Sequence, residues 1–151
     1  MRTVVIGSGS WGTALAQVLQ DNHQEVLVYG VAEAEVNDIN ENHKNSKYFG
    51  DVELNPELKA TTDIQCVKGA DIVLLAVPTI AIDSICHQIN DILDKKTIII
   101  NVSKGFHPET NERMSEVIRR CIDEDKLSSV VSLIGPSHAE EVVIRLLTTI
   151  D

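Results

Sequence analysis

Three glycines, Gly7, Gly9 and Gly12, stand in the stretch "VVIGSGSWGTALAQVL" at the spacing G-x-G-x-x-G, directly after an apolar run and at the start of a helical stripe. That pattern suits phosphate chemistry. The first glycine permits a tight turn, the second lets the backbone approach a pyrophosphate, and the third lets helix and strand pack closely. A helix beginning there offers unpaired N–H groups to an anion. The competing reading is a glycine-rich turn that holds no ligand, and the strand before it and the helix after it weigh against that reading.

Three later segments carry residues of the same kind: "VPT" at Val77–Thr79, "SKGF" at Ser103–Phe106 and "GPSHAEE" at Gly135–Glu141. Each follows a strand-like run. In an open parallel sheet the carboxyl ends of the strands share one edge, and ligands bind there where the strand order reverses. Lys104 is the only fixed cation that this logic places in the crevice. An ammonium there would stabilise charge developing on a substrate oxygen, whereas the alternative is a solvated surface lysine. Ser137 and Glu140 form S-x-x-E ahead of "VVIRLL", which predicts a capping box, and a capped helix start is also an anion site. His87, His107 and His138 have no partner at metal-ligand spacing, so no metal is expected.

The elements that must position these residues alternate. Runs rich in β-branched residues ("TVVIG", "EVLVYG", a brief "KATT", "DIVLLAVP", "TIIINVS", "VVSLIG") are separated by amphipathic stretches. Trp11, Ala14, Leu15, Val18 and Leu19 make one helical stripe, and Met114, Val117, Ile118, Cys121 and Ile122 make another. A third runs through Ile82, Ile85, Cys86, Ile89, Ile92 and Leu93, and a weaker one through Val36, Ile39 and His43. This order predicts an α/β fold, a Rossmann-type doubly wound and mostly parallel sheet with helices on both faces. Residues 41–60 lack periodicity and read as a long connection of the kind that often serves function.

Length and composition set the frame. The 151 residues suit one domain, and 13 Lys and Arg against 23 Asp and Glu leave a net charge of −10. Such a field repels nucleic acid and anionic membranes, so a phosphate ligand must be held locally by backbone amides. Neither a signal peptide nor a membrane span is expected from "MRTVVIG". Cys66, Cys86 and Cys121 form no metal or disulfide pattern; an odd count suits a reducing cytoplasm, and the stripes make Cys86 and Cys121 packing residues.

The choice of dinucleotide stays open. An acidic residue about 20 positions past the glycines would pair with the ribose hydroxyls of NAD, and a nearby Arg would favour the 2′-phosphate of NADP. Here the second strand ends in Tyr29, Gly30 and Val31, with Glu33 and Glu35 somewhat later and no Arg nearby.

Taken together and in order, "GSGSWGTALA", "AVPT", "SKGF" and "GPSHAEEV" closely resemble the N-terminal domain of the bacterial NAD(P)-dependent glycerol-3-phosphate dehydrogenases, over nearly the whole chain. The resemblance implies reduction of dihydroxyacetone phosphate to sn-glycerol 3-phosphate, for phospholipid synthesis, by hydride transfer from NADH or NADPH. It implies dinucleotide contacts at Ser10, Trp11 and Ala139, with Tyr48 on the adenine side. It makes Lys104 a contact of both cofactor and substrate, and Gly135 and Ser137 substrate contacts. Members of the family often carry a basic residue where this chain has Val31. They also continue into a helical domain with the principal catalytic lysine, so residues 1–151 are expected to be the dinucleotide-binding domain without that partner domain. A homodimer through the surface left uncovered is a further expectation. The alternatives are a stand-alone dinucleotide-binding module and another reductase of the same wider group, such as a ketopantoate reductase.

Overall fold

A computed structural model of the chain describes residues 1–103, 105–133 and 138–145. The expected alternation is there. Strands β1 (Arg2–Ile6), β2 (Glu25–Tyr29), β3 (Ala60–Thr61), β4 (Ile72–Leu75), β5 (Thr97–Asn101) and β6 (Leu127–Ser132) form one sheet in the order β3-β2-β1-β4-β5-β6. Every pairing is parallel. Ile6 lies opposite both Tyr29 and Leu75, and Leu75 opposite Asn101, so the strand carboxyl ends line up along one edge. The chain winds outward from β1 in one direction and then, from β4, in the other. The switch in strand order therefore falls between β1 and β4, which is where ligands enter sheets of this class.

Helices cover both faces. On β1, Val4 and Ile6 pack with Ile82, Cys86 and Ile89 of α4 (Ile82–Asn90) and with Val117 and Ile118 of α5 (Met114–Cys121). Val5 points the opposite way, into a second cluster with Ala14 and Leu15 of α1 (Ser10–Asp21), Val36 of α2 (Glu33–Asn37) and Val142 of α6 (Ala139–Val143). Strands buried on both faces need apolar residues at every position, which is why the runs are continuous rather than alternating. Burial pushes the Cys86 thiol up to about 12, in keeping with a packing residue rather than a nucleophile.

Contact between α1 and the sheet is closer than any side chain would permit. A Cβ placed on Gly12 would sit 1.9 Å from the Gly7 carbonyl oxygen, and one on Gly7, whose φ is +118°, would sit 2.3 Å from that of Ala76. Glycine is required at both positions, for reasons of space and, at Gly7, of backbone conformation as well.

Three local readings change. Residues 41–60 are not a featureless connection: α3 (Ser46–Phe49) lies within them, and Phe49, Leu54 and Leu58 are buried. The anchor is polar and so invisible to periodicity. The fully buried Asn45 donates through Nδ2 to the Ser8 carbonyl at 2.7 Å and to Thr13 Oγ1 at 2.9 Å, fastening the segment to the glycine loop. The stripe through Val36 and Ile39 leaves the α-helix at Asp38 for a π-turn, which His43 ends in the left-handed region. Finally, α6 starts at Ala139 with His138 as its N-cap and no side-chain capping bond, one residue later than a box on Ser137 requires. Ser137 itself lies outside the described residues.

What docks α6 comes from α1. Gln17, 1 % exposed, donates to the Val143 carbonyl at 2.6 Å and accepts from the Asn55 N–H at 2.7 Å. Arg145 donates twice to Asp21, at 2.7 and 3.1 Å. The Arg145 hydrogen bond holds the Asp21 carboxyl below its ordinary value.

Two outcomes follow from this packing. Gly12→Ala is expected to destabilise the chain by about 1–3 kcal/mol, the usual cost of overpacking, read by urea denaturation. Because the Asp21 carboxyl is lowered on folding, the stability it contributes is present above its unfolded value, near 3.8, and is lost as pH falls through the folded value. Acid titration of α6 docking is therefore expected to shift upward, toward 3.8, in Arg145→Gln, which can be followed by amide exchange at Val142 and Val143.

Candidate dinucleotide-binding site

A cavity of about 790 Å³ opens at the switch point. Gly7, Ser8, Gly9, Ser10 and Trp11 form its floor; Tyr29, Gly30, Glu35, Lys47 and Tyr48 line one side, and Val77, Pro78, Thr79 and Ser103 the other. Of the candidate site residues, Gly7, Gly9, Ser10, Trp11 and Tyr48 are brought together around this cavity. Gly12 stays beneath them as a packing contact of Gly7. Ala139 is 3 % exposed in the core cluster shared with α1 and is not among the described residues that line the cavity. Lys104, Gly135 and Ser137 lie outside the described residues.

The floor is an anion cradle by construction. Helix α1 begins after Gly9, an extended residue with no side-chain cap, and has no acidic residue in its first turn. Its first N–H groups lack partners within the helix, and the positive end of its dipole points at the cavity. Gly9 lines the cavity, and a Cβ there would meet only the Tyr48 ring, at 3.8 Å, so bare backbone faces the space that a phosphate would enter. These features fit a dinucleotide pyrophosphate.

The side of the cavity toward β2 carries charge that the motifs did not reveal. Ser8, 6 % exposed, donates through Oγ to Glu35 Oε1 at 2.7 Å. Lys47 Nζ stands 3.6 Å from the other oxygen of that carboxylate and 5.4 Å from the Tyr48 ring centroid. Lys47 is thus a cation at this edge that strand ends alone do not predict. It has no motif or period to mark it in the sequence, because it sits in the aperiodic segment that Asn45 folds back onto the glycine loop. Glu35 was seen in the sequence but not placed, since it reaches the cavity from the first turn of α2 rather than from the end of β2.

Opposite, the loop after β5 is clamped on either side of position 104. Asn101 accepts from the Ser103 N–H and donates to the Ser103 carbonyl, and Ser103 Oγ donates to the Val77 carbonyl, tying the β4 and β5 ends together. Gly105 turns the chain at φ +88°. His107, 1 % exposed, accepts at Nδ1 from the N–H groups of Glu109 and Thr110, at 3.1 and 3.3 Å. Its Nε2 stands 3.3 Å from Asp83 Oδ2 without hydrogen-bond alignment. Burial opposes ionisation of Asp83, but the Ser84 N–H and His107 outweigh it and keep the carboxyl below its ordinary value. His107 thus serves as an acceptor for the loop backbone through Nδ1; among the described residues there is no group of three or more metal-ligating side chains. His138 is exposed at the start of α6, not packed.

A doubly wound parallel sheet with a glycine cradle at its switch point defines a Rossmann-type dinucleotide-binding domain. Residues 2–151 match the family model for the NAD-dependent glycerol-3-phosphate dehydrogenase N-terminus, and the chain belongs to that family. It is 48% identical over 150 residues to the glycerol-3-phosphate dehydrogenase [NAD(P)+] of Listeria monocytogenes, covering 99% of this chain and 44% of that protein. Among solved structures, the glycerol-3-phosphate dehydrogenase of Coxiella burnetii aligns over 99% of this chain and 45% of its own, with a TM-score of 0.86 and 27% identity. That from Saccharomyces cerevisiae aligns over 95% and 44%, with a TM-score of 0.81 and 27% identity. The chain thus spans less than half the length of these relatives. Among the described residues no helix is long and apolar enough to cross a membrane.

Replacing His107 by Leu removes the acceptor of two loop N–H groups and is expected to cost about 1–3 kcal/mol. His107→Asn, which keeps an acceptor, is expected to recover part of the loss in chemical denaturation.

Proposed function

We propose that this chain binds a nicotinamide dinucleotide as the N-terminal part of a glycerol-3-phosphate dehydrogenase acting on dihydroxyacetone phosphate in the cytoplasm, in supply of phospholipid synthesis. The observation that carries the reading is the uncapped start of α1 facing a cavity of about 790 Å³ at the sheet's switch point, with the bare backbone of Gly9 lining it. Family membership supplies the reaction class.

On this reading the N–H groups of Ser10 and Trp11, at the start of α1 after Gly9, hold the pyrophosphate, and Gly7 and Gly12 hold α1 close enough for them to do so. Tyr48, 40 % exposed beside Gly9, offers its ring to the adenine side. Bound NADH or NADPH supplies the hydride. The Lys104 ammonium orients the substrate carbonyl and stabilises charge gathering on its oxygen, while Gly135 and Ser137 contact the substrate. What supports Lys104 is its place in the chain, directly after Ser103, which lines the cavity and is held by Asn101. Because the relatives are more than twice as long, residues 1–151 are proposed to be the dinucleotide-binding domain, with the principal catalytic lysine in a further domain.

Trp11 lines the cavity and is the only tryptophan, so its emission reports occupancy. Titration with NADH or NADPH is expected to change that emission saturably, with calorimetry confirming one site. A folded chain that responds to neither overturns the binding reading. Turnover of dihydroxyacetone phosphate by the 151 residues alone is expected to be negligible, and robust turnover would overturn the domain assignment.

A further inference from the structure

The cavity treats the two nicotinamide dinucleotides unequally. We propose that Glu35, held by Ser8, makes this site selective for NAD(H) over NADP(H), an inference that rests on the dinucleotide reading above. Once the pyrophosphate lies on the start of α1, the adenosine half extends toward the carboxyl end of β2. The groups waiting there are Ser8, Gly30, Val31, Glu35, Lys47 and Tyr48.

Glu35 is a fixed acceptor. Its side chain is only 11 % exposed, yet it borders the cavity, and the 2.7 Å bond from Ser8 Oγ consumes one lone pair of one oxygen. A carboxylate accepts about four hydrogen bonds, so capacity remains for a ribose hydroxyl. Ser8 is itself buried and packs on Gly30, whose missing side chain leaves the room it occupies: a Cβ there would lie 2.3 Å from Ser8 Oγ. The carboxylate is thereby built into the glycine loop itself.

For a 2′-phosphate the same wall is hostile. A dianion placed beside an anchored carboxylate meets like charge in a partly desolvated site, and that juxtaposition weakens its binding. Lys47 is the only cation among the described residues lining the cavity, and it is already 3.6 Å from Glu35. Val31, 81 % exposed where the chain leaves β2, offers no charge. Lys47 is itself 69 % exposed and its pair with Glu35 is loose, so removing the carboxylate's charge frees it for the phosphate.

The test is calorimetric titration of the 151-residue chain with NADH and NADPH separately, for the wild type, Glu35→Gln and the double variant Glu35→Gln/Lys47→Ala. Wild type is expected to bind NADH at least about tenfold more tightly. Glu35→Gln is expected to weaken NADH modestly and tighten NADPH, erasing most of that ratio, and the added Lys47→Ala to remove the gain for NADPH but not to weaken NADH further. Two results overturn the selectivity while leaving dinucleotide binding intact: a wild-type ratio at or below one, or a ratio that Glu35→Gln leaves unchanged in a folded protein. Should Glu35→Gln fail to fold, the wild-type ratio alone decides. Binding of neither dinucleotide by the folded wild type overturns both readings together.

Discussion

The distance between α1 and the seam of β1 and β4 governs this molecule. Gly12 touches the backbone of Gly7, and Gly7 touches that of Ala76, at separations where no Cβ fits. This backbone contact sets where the first turn of α1 ends up, and with it the direction in which its unpaired N–H groups point. A helix displaced outward by one methyl group would still cover the sheet. It would no longer present its amides at the floor of the cavity.

Electrostatics make that placement more than a packing matter. With a net charge of −10, the chain as a whole repels anionic ligands. Attraction must be short-ranged, and the start of a helix with no acidic residue in its first turn is such a source. The same cavity is lined by Glu35, a carboxylate held by Ser8, and by Lys47, a loosely paired cation. A generally acidic surface and a local phosphate site are compatible where backbone dipoles supply the attraction.

Buried polar side chains carry the rest of the arrangement. Asn45 ties an aperiodic segment to the glycine loop, Gln17 ties α6 to α1, and His107 with Asn101 shapes the loop around position 104. Asn45 and Gln17 join residues that the chain keeps apart, whereas Asn101 and His107 hold their own loop neighbours; all four are buried, where an unmet donor or acceptor is expensive. Together they give a cavity whose walls come from separate strand ends.

Much of the fold was legible without coordinates. Continuous β-branched runs and helical stripes specified a parallel sheet covered on both faces, because apolar periodicity directly records which faces are dry. The glycine spacing located the cradle, because the need for a missing Cβ is written into residue type. What the tertiary structure alone decided were the polar positions: α3 within residues 41–60, the one-residue shift at the start of α6, and the convergence of Ser8, Glu35, Lys47 and Tyr48. Hydrogen bonds and ion pairs have no period along a sequence. They depend on which side chains the folded backbone brings within about 3 Å of one another, and only the assembled sheet and helices bring these ones together.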